Sequence, residues 1–173
     1  MKNQKGISIM IGYVMLIAFA VITSIIVFQW VKTYVPADAF KCPDETSLFL
    51  KDYSYDCSSN ALNLTFINNG RFSIGGYFIY AATSADQELA TRDLSLFNPE
   101  NKIEGIVKFS GNDDNPFEPG DSPETHLFSW SVSEIPEIYF IEIIPIRWQE
   151  KNNQKRLVSC GGSKVKELIF CSS

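Results

Sequence analysis

The stretch from residue 7 to residue 31, ISIMIGYVMLIAFAVITSIIVFQWV, decides how this chain must be organised. From Ile7 to Val31 there are 25 residues without a charge, interrupted only by Ser8, Gly12, Thr23, Ser24 and Gln29 among apolar and aromatic side chains. That is enough to span a bilayer, since about 20 apolar helical residues cross the roughly 30 Å hydrocarbon core. A helix from Ile7 to Tyr34 would be about 42 Å long, so its surplus turns need another partner. Being apolar all round, it must bury every face, in lipid or among other helices. Pro36 lacks an amide donor and clashes with the preceding turn, so the helix is expected to stop near Val35.

Outward from this segment the chain changes character. All 20 Asp and Glu residues lie at Asp38 or beyond, while the first 37 positions carry only Lys2, Lys5 and Lys32 as charges. Lysines flanking an apolar run stay in the cytoplasm, which sends the rest of the chain outward. Lys32 opposes that orientation slightly, and Trp30 and Tyr34 suit an interfacial aromatic belt. Ser8 with Gly12, and Ala20 with Ser24, repeat small residues at a spacing of four, which lets neighbouring helix backbones approach closely. From Pro36 onward 12 Lys and Arg face 20 Asp and Glu, a formal charge of −8. Such a head repels nucleic acid and suits a solvated outer surface. With 173 residues and 45% apolar content, the chain holds one globular domain plus this special segment.

Beyond Pro36, short apolar runs are punctuated by Gly, Pro, Asn, Asp and Ser, the pattern of strands and turns. In Leu62-Asn63-Leu64-Thr65-Phe66 the apolar side chains share one face and the polar ones the other, and Asn68-Asn69-Gly70 then marks a tight turn. Further strands are expected at residues 47–55, 77–83, 103–109, 127–132, 138–148, 156–160 and 165–171, and roughly eight strands indicate a sandwich. Pro145 requires its strand to lie at an edge, contain a bulge or divide in two. Residues 84–93 form a short surface helix or a loop. The fold class is thus α+β, a long hydrophobic helix followed by an all-β sandwich head.

Cys42, Cys57, Cys160 and Cys171 all fall on the outer side, and an even number in an exported domain reads as two disulfides. Three pairings are possible. Local pairs, Cys42 with Cys57 and Cys160 with Cys171, are favoured because each closes a hairpin-sized loop worth roughly 3 kcal/mol. Zinc is disfavoured by the absence of a Cys-x-x-Cys pair and by a single histidine, His126.

Lys5-Gly6-Ile7-Ser8, followed by Ile11-Gly12-Tyr13-Val14-Met15-Leu16-Ile17, resembles the N-terminus of archaeal type IV prepilins over about thirty residues. In that family a prepilin peptidase cuts after the Gly that follows a basic residue, and the remaining helix joins a shared filament core. The resemblance implies a cut between Gly6 and Ile7, giving a leader (1–6), an assembly helix (7–35) and an extracellular head (36–173). Ile11 stands at the fifth mature position, where bacterial relatives usually carry Glu and archaeal ones commonly do not. Ile9 stands where the archaeal pattern often has Pro. The strand, Asn-Asn-Gly turn and strand also resemble archaeal pilin and archaellin heads, which implies an immunoglobulin-like sandwich. The implied partners are further copies of the chain, the peptidase, the assembly machinery and, before assembly, the membrane. Two simpler readings compete. One is a plain membrane anchor, as in an adhesin or an archaellum stator component. The other is a secretory signal cut after Ala37-Asp38-Ala39, for which the apolar run is too long.

Little else suggests chemistry, and neither an enzymatic role nor a cofactor is expected. His126 with Ser122 or Ser129 has no triad spacing, and Gly75-Gly76 and Gly161-Gly162 lack the context of a phosphate loop and read as turns. In the loop 111–121, Asp113, Asp114 and Asp121 are weak calcium ligand candidates without EF-hand spacing. Asn63-Leu64-Thr65 is an N-glycosylation acceptor triplet whose Asn63 is expected to face solvent.

Overall fold

The computed structural model describes residues 4–34, 41–100, 105–109, 115–151 and 154–172. The chain divides into two compact units, Met1–Ala39 and Phe40–Ser173. Among the described residues the first contains one element, α1 (Gln4–Tyr34, 31 residues). At 1.5 Å per residue it is about 46 Å long. It begins earlier than expected, so Lys5 and Gly6 are already helical, while Lys2, Val35 and Pro36 lie outside the described residues.

The second unit is a β-sandwich-like head of two antiparallel sheets. One has the order β1 (Leu48–Asp56), β2 (Ala61–Asn68), β6 (Glu124–Ser129). The other has the order β4 (Arg92–Asp93), β3 (Gly76–Ala82), β7 (Phe140–Lys151), β8 (Gln154–Ser159), with β5 (Val107–Lys108) on β3 and β9 (Val165–Leu168) on β7. Residues 84–91 are loop rather than helix and lead into the two-residue β4.

Strand alternation builds the core. In β2, Leu62, Leu64 and Phe66 are fully buried while Asn63, Thr65 and Ile67 are half-buried on the outer face. Tyr77 and Ile79 of β3 and Ile141 and Ile143 of β7 belong to the same buried cluster. Phe66 meets Tyr77 at a ring separation of 4.8 Å, and Phe109 stacks on Phe117 at 4.6 Å. At about 25 cal/mol per Å² of apolar surface removed from water, such rings dominate the stabilisation of the head.

Three local expectations change in the folded chain. Gly75-Gly76 is not a turn: Gly76 opens β3, and a Cβ there would come within 2.4 Å of the Val107 carbonyl on β5. Asn68-Asn69-Gly70 carries the chain from one sheet to the other rather than joining neighbours in a hairpin. Asn68 fixes that crossing, donating from Nδ2 to the carbonyls of Phe72 (2.9 Å) and Phe117 (2.7 Å) and accepting from Gly70 N–H (3.1 Å).

Pro145 is the third. It sits in a continuous strand with neighbours on both sides, opposite Tyr77 on β3. Its carbonyl accepts from Cys160 N–H at 2.8 Å. The amide and carbonyl of one antiparallel residue point to the same side. The missing donor is therefore turned toward the gap between β8, whose pairing with β7 begins at Ile146, and β9, whose pairing ends at Ile143. Proline costs no ladder bond at that break.

Candidate functional site

The feature of the molecule that most needs a partner is α1. From Met10 to Thr33 it is long and apolar enough to cross a membrane, and none of that span is buried. Leu16, in its middle, is 67% exposed. The Thr23 and Thr33 hydroxyls are bonded within the helix. Thr23 donates its hydroxyl to the carbonyls of Phe19 (2.9 Å) and Ala20 (3.0 Å), and Thr33 donates to that of Gln29 (3.1 Å). In a medium without water that back-bonding is what lets threonine reside in a helix. Lys32 places its ammonium over the Phe28 ring, 5.0 Å from the centroid.

Of the small residues, Gly12 presents open space: a Cβ built there meets nothing within 4 Å. At 100° per residue the Ser8/Gly12 and Ala20/Ser24 pairs lie about 120° apart round the axis, so they do not form one stripe. The processing positions Lys5, Gly6 and Ile7 lie in the first turns of the helix backbone. Ala37, Asp38 and Ala39 lie outside the described residues.

The four cysteines form two disulfides, as expected, but in a different pairing. Cys42 is joined to Cys160 and Cys57 to Cys171, with Cα separations of 5.1 and 5.5 Å. The local pairing fails because the fold brings the two ends of the head together. Tyr55 bridges Cys171 in parallel, and Ser172 N–H donates to the Tyr55 carbonyl at 2.7 Å. Loop length in the unfolded chain says what a link is worth, not which sulfurs meet.

The remaining candidates are dispersed. Asn63 lies on the half-buried outer face of the central strand β2, with Nδ2 3.4 Å from Ser54 Oγ. Asp113 and Asp114 lie outside the described residues. Asp121 closes a turn, its carboxylate accepting from Glu118 N–H at 2.7 Å. Among the described residues no three His, Cys, Asp or Glu side chains converge as a metal site.

His126 is a core residue, 4% exposed and packed against Phe66, Tyr77 and Phe109. Its Nε2 lies 2.8 Å from Glu124 Oε1, and its Nδ1 shares a short hydrogen bond with the Tyr77 hydroxyl. An ionised carboxylate only accepts, so Nε2 donates, and in the neutral ring Nδ1 accepts from Tyr77. Burial, and secondarily the Glu124 charge, push the Tyr77 phenol well above its ordinary value near 10.

A buried carboxylate escaped the sequence reading. Glu142 on β7 is held by Lys164 Nζ at 2.8 Å and accepts from Ala90 N–H at 3.4 Å, tying the 84–91 loop to the sheet. The signal was a lone carboxylate inside the apolar run 139–146.

The apolar N-terminal helix marks the chain as membrane-anchored or secreted, and two disulfides mark an oxidising compartment outside the cytoplasm. Comparison with protein-family models, with curated proteins and with solved structures finds no match to this chain.

Proposed function

We propose that this chain is the structural subunit of an archaeal type IV pilus-like extracellular filament, assembled through α1 after removal of the leader 1–6. The observation that carries this reading is a 31-residue helix whose apolar span Met10–Thr33 is uncovered. Without the leader, residues 7–34 span about 42 Å, about 12 Å more than the hydrocarbon core, which leaves turns for a partner other than lipid. The Lys5-Gly6 boundary supplies a route out of the bilayer. Cutting there removes the cytoplasmic lysines Lys2 and Lys5, after which the helix is free to move from lipid into a bundle of like helices. The disulfide-linked head then forms the exterior.

A second reading is favoured by the bilayer-length span Met10–Thr33 itself: a membrane-anchored binding module, adhesin or stator-like, whose helix stays in lipid. Sequencing the mature N-terminus separates the readings. A start at Ile7 is expected, an intact leader supports the anchor, and a start at Phe40 sinks both. Fibres sheared from cells should contain the Ile7 form as a constituent.

A further inference from the structure

The head carries an apolar cleft of about 310 Å³, lined by Tyr55, Glu137, Ile138, Tyr139, Leu168 and Phe170 among others. Three of these walls are open to solvent: Phe170 is 65% exposed, Leu168 57% and Tyr139 39%. The cleft is pre-formed, since the Cys57–Cys171 bond and the Ser172 amide fix the C-terminal limb against β1. Rigid receptors lose little entropy on binding. Glu137 brings a carboxylate to its lining, and the Lys166 ammonium lies over the ring of Phe140, another lining residue, 3.8 Å from the centroid.

We infer that this cleft receives the head-proximal turns of α1 from a second copy of the chain, with Phe28 and Val31 against Leu168 and Phe170 and with Lys32 facing Glu137. Three observations select this occupant. The apolar span Met10–Thr33 is about 36 Å long against a hydrocarbon core of roughly 30 Å, so an untilted helix offers about 6 Å of apolar surface at its outer end to a receptor. Phe28, Val31 and Lys32 stand at i, i+3 and i+4 and therefore share one helix face. The ammonium of Lys32 already lies over the Phe28 ring, so that face offers an aromatic knob crowned by a cation. Lys32 is also the only charge between Gly6 and Tyr34, and the cleft answers it with a carboxylate. This is a helix-in-groove contact with one complementary charge to set its register.

The inference rests on the subunit reading for its supply of second copies. Its test uses the full chain in native membranes and in sheared fibres. A benzophenone-bearing phenylalanine analogue replaces Phe170, and isotope-labelled and unlabelled copies are mixed so that adducts between copies are distinguished from those within one. Irradiation should yield adducts on residues 28–33 of another copy. The yield should fall about tenfold in Glu137→Lys and recover in the double variant Glu137→Lys with Lys32→Glu. Adducts confined to lipid, to a second head, to the same copy or to an unrelated protein overturn the inference, as does a yield indifferent to both charge reversals. Fibres that form without the adduct overturn the cleft contact and leave the subunit reading intact. Adducts in membranes of cells that never build a fibre do the reverse.

Discussion

The helix and the head spend similar side chains in opposite ways. Leu16, Ile17 and Phe19 on α1 are exposed, whereas Leu62, Leu64 and Phe66 on β2 are fully buried. The helix satisfies its backbone internally and leaves its apolar surface to an external medium. The head satisfies its backbone across two sheets, buries its own core, and is linked twice between its ends. A unit of the first kind is stable only in lipid or among copies. One of the second kind carries its solvent-excluding partner within itself.

Reduction should separate the two units most strongly. The disulfides span 118 and 114 residues, and a loop near 100 residues is worth about 4.7 kcal/mol in the chain-entropy model. Once Cys42–Cys160 is closed, the second link closes an effective loop of only about 26 residues, adding about 3.5 kcal/mol. Against a total of roughly 5–15 kcal/mol, reducing both should unfold or nearly unfold the head while helical circular dichroism of α1 in detergent persists. Emission of Trp130 and Trp148 in a Trp30→Phe chain, followed through a urea titration, reads the head; a midpoint unmoved by reductant would remove the staples from the account.

Truncation sharpens the same contrast. Phe66→Ala should cost about 3–5 kcal/mol of head stability by opening a cavity, and Leu16→Ala should leave the urea midpoint of the head unchanged. Equal losses at the two sites would mean that the helix is part of the head's folding unit. A charge does the opposite: Leu16→Arg should cost about 3 kcal/mol of membrane insertion and deplete the membrane fraction without altering that midpoint.

The smallest effect is a pH limb confined to the head. Because the folded-state pKa of Tyr77 is raised, the unfolded chain gives up its phenol proton first as pH rises past about 10. Stability contributed by the neutral phenol is therefore complete below that pH and lost above it, by about 1.4 kcal/mol per unit. Tyr77→Phe should flatten this limb in urea midpoints measured between pH 9 and 11, at the separate cost of an unpaired His126 Nδ1 at all pH values. A slope identical to that of the parent chain would mean that other tyrosines set the alkaline limit.

Much of this was legible in local pattern. Uncharged run length identified α1, period-two alternation identified β2 and its buried face, and an even number of cysteines on the outer side announced oxidation. These signals read directly because each depends on neighbours within a few residues. The crossing at Asn68, the central place of Pro145, the pairing of Cys42 with Cys160 and the clamp on Glu142 did not read in advance. Each depends on which strands are brought together from opposite ends of the head, a choice made by burial of the whole core and not by any window of sequence. The sequence by itself determined that an apolar helix precedes an oxidised β-rich head. Only the tertiary structure decided which sulfurs meet, where a proline costs nothing, and that the head carries an apolar cleft with Glu137 in its lining, because those are matters of long-range proximity.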